Sequence, residues 1–596
     1  MAEPTCPPAS TAPGGGLPDL STWTFAMVGF GLAILLMMAV ISFRQGGGGS
    51  SPSGRATPKQ LKASELTLKK VKAKTYKSIR VELAKLSKDA RKKLAPGEFG
   101  LLLGKLYPGF DPIAPLGRLE RWAQRTLRWW GLDLYLTLEE VVLLIAPPRA
   151  GKTSWMAARV VDYPGSVVTT STKTDLYELT RGLRAKRGGR EHLWNPEELG
   201  RAREFVSTFR FSPTAGCEDP DVAMERVASI VGPQAGFSGV TNASFWENNT
   251  HKVLRGLFHA AGLGGLRMKH VWAWASNSSD MTPLKILASH PDTAAGWAGE
   301  LAGLHAKEAA LIGNIYAGVA DALSFMASPK IAATMDCSAA ESFDLDSFIL
   351  SGKDTLNLIG SHKKSSGIAP LFACFTEALF SRAKVLATHN AKGKRRLNPP
   401  LGFMIDEAAL ICPIPLASWA PDSGGRNISL VISAQDMEQL YMAYGRDGGE
   451  AIFNIANTKI ILGGGTGVEH LERFSRLCGM VVRKGLESTT TSGDGKVSRH
   501  RPLVEQRVLT LDQIKDLPLG RGLVVRGRTR AVLFDYPDIA DLPAVVAQLA
   551  EEGRTVDLIQ LAADLREAEL RDELPNQRKG TADEPATTWE NGEAQQ

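Results

Sequence analysis

The sequence predicts an α/β protein: a doubly wound parallel sheet with an inserted all-helical subdomain, preceded by one transmembrane helix. Three patterns predict it. Short apolar runs at Val141–Ile145, Ser166–Thr172, Leu401–Ile405, Ile428–Ala434 and Ile455–Leu462 end at polar or glycine-rich turns and alternate with helical periodicity. Residues 220–345 place apolar side chains every three or four positions, with few strand-like runs. The 21 residues Trp23–Phe43 carry no charged side chain.

The chain has 596 residues, enough for three or four domains. With 43% hydrophobic and 22% charged residues it is not a mainly disordered chain. Its six cysteines are scattered and contain no C-x-x-C pair, which excludes a disulfide framework and a cysteine zinc site and fits a reducing compartment.

Residues 1–21 read as an extracytoplasmic tail and 22–43 as the membrane helix. A helix over Trp23–Phe43 rises about 30 Å, enough to cross the hydrocarbon core, and aromatic residues flank it. The 22 residues before it have no Lys or Arg, unlike a signal peptide. Residues 44–95 follow as a flexible linker, Gly46–Gly54, and a basic segment. Positions 55–93 hold 14 Lys and Arg against three acids. This positive-inside pattern predicts a single-pass protein of the plasma membrane, N-terminus outside and the bulk cytoplasmic. The segment reads as a collar against anionic lipid, with DNA or a protein partner as the other readings. The net charge of +7 is thus a surplus of eleven here and −4 elsewhere, where 56 basic residues face 60 acidic ones.

The chemistry begins at Val141. An apolar strand runs into the turn Ala146–Thr153 (APPRAGKT) and then into a helical pattern. This matches G-x-x-x-x-G-K-[ST] except for Ala at the first position. In such a loop Pro148, Arg149, Ala150, Gly151 and Ser154 surround the phosphates, and all of them except Pro148, which has no backbone N–H, point an N–H group inward, where the helix dipole also favours negative charge. Lys152 neutralises β/γ oxygens, Thr153 ligates Mg²⁺, and Gly151 allows close approach, so the cofactors expected are ATP and Mg²⁺. Ala146 predicts strain if it must take φ > 0.

An acidic partner on a neighbouring strand is expected, and LGFMIDE supplies Asp406 for the metal and Glu407 to activate water. Gln435 ends the run ISLVISA, where strand-end polar residues face a ligand crevice. About 250 residues separate loop and acidic strand, more than one βαβ step needs, so 220–345 reads as an all-α insertion dividing a sheet domain of 96–219 and 346–540. Residues 541–596 read as C-terminal helices and a polar, disordered tail.

Other signals are weaker. His251 and His259 lack a third ligand at metal spacing, and no H-E-x-x-H occurs, which argues against a zinc protease. Trp272 and Trp274 read as core rather than base-stacking residues. Lys392, Lys394, Arg395 and Arg396 form a basic loop, either solvated or touching DNA.

The ordered series IAPPRAGKTSW, SVVTTSTKTDLYELTRGLRAKRG, FWENNTHKVLRGLFHAAGL, LGFMIDEAALI, ISLVISAQDMEQLYMAYG and IANTKIILGGGTGVEHLERFSRLCG resembles TraG/TraD-type coupling proteins, of the FtsK-related P-loop ATPase group, over roughly 100–540. The resemblance implies a RecA-like domain in a homo-hexameric ring at the cytoplasmic face. It also implies ATP-driven movement of DNA, or relaxase-bound DNA, toward a conjugative type IV secretion channel. Arg426 is the first candidate for an arginine acting on a neighbouring subunit's γ-phosphate and Arg446 the second. The rival readings are an FtsK-like chromosome translocase and a non-motor substrate receptor that binds nucleotide structurally.

Overall fold

The computed structural model describes residues 55–536, apart from 57, 107–130, 185–187, 201–204, 233–242, 362–366, 391–394, 466, 485–487, 492–496 and 501. The apolar run Trp23–Phe43 and the tail 541–596 lie outside the described residues. Among the described residues no helix is long and apolar enough to cross a membrane.

An eleven-stranded sheet runs through the molecule. Its strands are β1 (Gly100–Leu106), β2 (Leu132–Thr137), β3 (Val141–Ile145), β4 (Ser166–Ser171), β5 (Glu191–Trp194), β6 (Thr355–Ile359), β7 (Leu401–Ile405), β8 (Ile428–Ala434), β9 (Thr458–Leu462), and, near the C-terminus, the strands Arg521–Arg526 and Thr529–Asp535. In between, Met480–Lys484 pairs with Leu503–Arg507, and Ser488–Thr491 with Val497–His500, as separate two-stranded ribbons. Across the large sheet the order is β2, β1, Thr529–Asp535, Arg521–Arg526, β9, β3, β8, β7, β4, β6, β5. The seven strands from β9 to β5 are parallel, as the alternating pattern predicts. The other four extend that sheet antiparallel, so the sheet is mixed rather than wholly parallel.

Alternation across β3 shows why the parallel strands carry continuous apolar runs. Val141, Leu143 and Ile145 enter one core, and Val142 and Leu144 the other. Helix α1 (Lys152–Asp162) packs Trp155, Met156 and Val160 onto the second face. The crossover between β5 and β6 contains the helical insertion, beginning with α2 (Pro220–Val231), whose Asp219 side chain caps it ahead of a proline at the first turn. Next comes α3 (Ala243–Leu263), with Leu254, Leu257 and Phe258 in the first core beside Trp194 of β5 and Phe372 of the helix Ile368–His389. Insertion and sheet therefore share one apolar core. At Gly402 of β7 an added Cβ would sit 2.7 Å from the Tyr163 ring, so this strand needs glycine where that ring crosses it.

The basic segment is folded onto the sheet. Its Leu61, Leu66, Val71, Ile79 and Leu83 are buried, while nine of its lysines are exposed. The Leu66 carbonyl accepts from Tyr135 N–H, and the Ile79 carbonyl accepts from Asn427 Nδ2 at 2.6 Å. Glu65 pairs with Arg526, which also forks onto the buried Glu140 at 2.6 and 3.0 Å. Glu140 accepts from Thr458 as well, so one carboxylate ties β3, β9 and Arg521–Arg526 together, and Arg526 joins the basic segment to them.

Arg526→Ala strips this buried carboxylate of its cation, which should cost about 3–5 kcal/mol. Chemical denaturation of the variant against wild type measures it, and a loss below about 1 kcal/mol would deny the network its structural role.

Candidate nucleotide site

Ala146 continues the ladder of β3, donating to the Ala434 carbonyl at 3.0 Å. Among the described residues the positive-φ positions of this loop are Arg149 (φ 66°) and Gly151 (φ 83°), and Ala146 is not one of them. The strain expected at Ala146 is therefore absent, because its backbone is still strand. Gly151 is needed twice over. Its left-handed backbone opens α1, and an added Cβ would lie 2.6 Å from the Tyr536 hydroxyl, which donates to the Ala150 carbonyl. On the far side, Trp155 Nε1 and Arg159 Nη2 both donate to the Leu103 carbonyl of β1, so the antiparallel strands clamp α1. Pro148 and Arg149 form the exposed bend, Ala150 is buried, and Thr153 and Ser154 start the helix half-buried.

Asp406 and Glu407 follow β7 directly. They are not on the strand adjacent to β3, because β8 lies between. That order brings Ser433 of β8 opposite Asp406. Its hydroxyl donates to Asp406 Oδ1 at 2.5 Å and accepts from the Glu407 N–H at 3.2 Å. Lys152 Nζ reaches past β8 to both acids, 3.1 Å from Asp406 Oδ1 and 3.2 Å from Glu407 Oε1. Thr172, just beyond β4, donates to Glu407 Oε2 at 2.7 Å, and Gln435 Nε2 donates to Oε1 at 3.2 Å. Lys152, Asp406, Glu407 and Gln435 thus converge. Ser433 and Thr172 complete the cluster although sequence reasoning did not single them out; the trace of Ser433 was one of two hydroxyls, with Ser429, in an otherwise apolar strand.

Glu407 has φ 52° and ψ 48°, a left-handed conformation that costs a residue with a Cβ about 1–3 kcal/mol. The donors around it hold it there. Burial acts to raise its carboxyl, but Lys152, Thr172 and Gln435 outweigh burial and hold it below its usual range. Burial pushes Asp406 up despite Lys152 and Ser433. Lys152 is drawn down by burial and raised more strongly by the two acids, so it stays charged.

The remaining candidates lie elsewhere. Arg426 sits at the N-terminal end of β8, the sheet edge opposite Gln435, bound to Asp422 at 2.8 Å and Thr388 at 2.6 Å. Arg446 is exposed and pairs with Glu469 at 3.2 Å. Within one chain neither meets the cluster. His259 is a core residue, bonded to the Cys217 carbonyl at 2.8 Å and to Ala294 N–H at 3.1 Å, and Trp274 is buried. Arg396 is held by Glu139 and by the Gly424 carbonyl, so it is not a solvated loop cation. Lys392 and Lys394 lie outside the described residues.

Ser433→Ala removes the hydroxyl shared by Asp406 and Glu407, and a destabilisation of about 1–3 kcal/mol is expected in denaturant titrations. An unchanged midpoint would show that water replaces it without cost.

Residues 400–519 match the family model described as the TraM recognition site of TraD and TraG. By sequence, no curated protein matches the chain. The fold is similar to the bacterial conjugative coupling protein TrwBdeltaN70 in its unbound monoclinic form, at 15% identity and TM-score 0.50, covering 67% of this chain and 84% of that one. It is equally similar to the trigonal form of that protein in complex with sulphate, at 16% identity and TM-score 0.50, covering 68% and 88%. TrwB in complex with ADP and Mg²⁺ is similar at 16% identity and TM-score 0.48, covering 68% and 87%. The resemblance to TraG/TraD-type coupling proteins therefore holds, by family model over residues 400–519 and by fold over about two thirds of the chain.

Proposed function

We propose that this chain is a membrane-anchored ATPase that moves DNA, or DNA carrying a relaxase, into a conjugative type IV secretion channel, working as a homo-hexameric ring. The observation that carries the reading is the convergence of Lys152, Asp406, Glu407 and Gln435 at the strand ends beside a left-handed, glycine-opened helix start. The donor set fits Mg²⁺. One carboxylate, Asp406, and one hydroxyl, Thr153, suit a cation that takes its other ligands from water and substrate phosphates. Mg²⁺ would supply charge neutralisation on the β- and γ-phosphate oxygens.

The residues then divide the work. Lys152 exchanges its two carboxylates for phosphate oxygens. Glu407, whose carboxyl Lys152, Thr172 and Gln435 hold below its usual range despite burial, is ionised and can accept a proton from the attacking water. Gln435, bonded to Glu407 Oε1, orients the carboxylate. The apolar run Trp23–Phe43 is the anchor, and the exposed lysines behind it favour the cytoplasmic, anionic leaflet.

The full chain in detergent should hydrolyse ATP faster when DNA is added, and comparing single- with double-stranded DNA identifies the substrate form. Glu407→Gln should bind ATP yet lose hydrolysis by about 10²–10⁴-fold, and both it and Lys152→Ala should abolish conjugal transfer. Wild-type transfer by both variants would favour the non-motor receptor. For topology, Gly15→Cys in a Cys6→Ser background should react with an impermeant thiol reagent on intact cells, whereas Lys88→Cys should not. The reverse pattern would invert the membrane orientation.

A further inference from the structure

Both oxygens of the Glu407 carboxylate carry donors, and the two are not equivalent. Oε1 takes Lys152 and Gln435, each at 3.2 Å. Oε2 takes the Thr172 hydroxyl at 2.7 Å, the shortest of the three contacts. Lys152 marks which oxygen faces the substrate. Its ammonium is the group that a bound triphosphate draws onto its own oxygens, so Oε1, the atom it touches, lies on the phosphate side. A carboxylate oxygen has two lone pairs. When Lys152 leaves, Gln435 keeps one on Oε1 and the other is open to a water molecule.

We propose that Thr172 is a positioning residue for hydrolysis: by holding Oε2 it presents Oε1 to the water that attacks the γ-phosphate. This rests on the nucleotide reading above and names the residue that decides which oxygen of Glu407 works. In that step the water oxygen bonds to the γ-phosphorus and one water proton passes to Oε1. The bond from that phosphorus to the β,γ-bridging oxygen breaks, and its electron pair stays on the diphosphate. The terminal torsion of a glutamate is broad and nearly two-fold. Without Thr172 the carboxylate can turn either oxygen inward, and the productive orientation becomes one among several.

Thr172 is itself built in. It follows β4, which pairs with β7 so that Thr170 stands opposite Ile405, the residue before the two acids. The buried Thr170 hydroxyl donates to the Asp406 carbonyl at 2.9 Å. One threonine thus fixes the peptide that joins Asp406 to Glu407, and the other fixes the carboxylate beyond it. The residue between them is tied down on both sides. The Ser171 carbonyl accepts from Gly360 N–H at 3.2 Å, and the Ser171 hydroxyl accepts from Lys173 N–H at 3.3 Å. Directly after comes the short helix Asp175–Thr180, whose Leu176 and Leu179 enter the same core as Trp155 and Met156 of α1. The support for Oε2 is therefore anchored to the helix that the phosphate loop opens.

The test separates orientation from packing. In the full chain in detergent, kcat and KM for ATP with Mg²⁺ are measured for wild type, Thr172→Val, Thr172→Ser, Glu407→Gln and the double variant. Thr172→Val should lower kcat about ten- to a hundredfold and leave KM within about twofold. Thr172→Ser keeps the hydroxyl and should stay within about threefold of wild type. In the Glu407→Gln background Thr172→Val should cost nothing further, because Thr172 acts through that carboxylate. Wild-type kcat in Thr172→Val, an equal loss in Thr172→Ser, a loss carried by KM, or a further loss in the double variant would each overturn the assignment. Hydrolysis by Glu407→Gln at the wild-type rate would sink the hydrolytic reading itself, a result distinct from a silent Thr172→Val beside an inactive Glu407→Gln.

Discussion

Lys152 holds two carboxylates across the width of one strand, and the arrangement of the site follows from that reach. Two strands in direct contact lie about 4.8 Å apart, so a lysine leaving the end of β3 spans an intervening strand only if that strand ends in small or polar side chains. Strand β8 ends in Ser433 and Ala434, and Gln435 follows directly. Ser433 fills the gap by bonding both Asp406 and Glu407, and Gln435 closes over the top. A bulky apolar residue at 433 would part the ion pair and leave buried charges unpaired. The left-handed backbone at Glu407 belongs to the same constraint, because it turns the carboxylate away from the strand direction and toward Lys152, Thr172 and Gln435. About 1–3 kcal/mol of strain is thus held by four polar contacts within 3.2 Å.

The antiparallel flank serves this site from a distance. Strands β1 and Thr529–Asp535 are remote from the loop in sequence, yet Leu103 receives Trp155 and Arg159 from α1, and Tyr536 reaches the Ala150 carbonyl. Loop and helix are therefore held from behind by the flank and from in front by Lys152. Shifts in the flank strands reach the phosphate loop through side chains that are themselves buried, which makes the flank part of the nucleotide site in mechanical terms.

Much of this was legible in the sequence, for physical reasons that also set the limit. Strand β3, the loop and the acidic strand were readable because burial on both faces leaves a continuous apolar run, and because phosphate chemistry restricts Gly151, Lys152 and Thr153. The helical insertion was readable from its period. The order of strands was not, since sequence pattern carries no record of which strands are neighbours; hence β7 was expected beside β3 and Ser433 was overlooked. The strain assigned to Ala146 failed for a similar reason, because the loop moves its left-handed positions to Arg149 and Gly151 once the strand extends one residue further. The basic segment read as a charged collar because lysine dominates its composition, and its few buried leucines, isoleucines and valines were too sparse to announce a docked subdomain.

That docking also settles where the charge sits. Lys74 meets Glu139, Glu65 meets Arg526, and Ile79 meets Asn427, all at the N-terminal ends of the parallel strands. Lys152 and the two acids stand at the C-terminal ends. Strands of five to seven residues separate these edges by about 17–23 Å, two or more Debye lengths at physiological ionic strength of about 8 Å. The +11 collar therefore adds little to the potential at the nucleotide site, where one lysine against two carboxylates leaves a local charge of −1. That deficit would suit a divalent cation beside phosphates, and the distant lysines lie too far away to compete for them. The same geometry gives the sheet a polarity: the edge against which the described part of the basic segment packs is the edge opposite the chemistry.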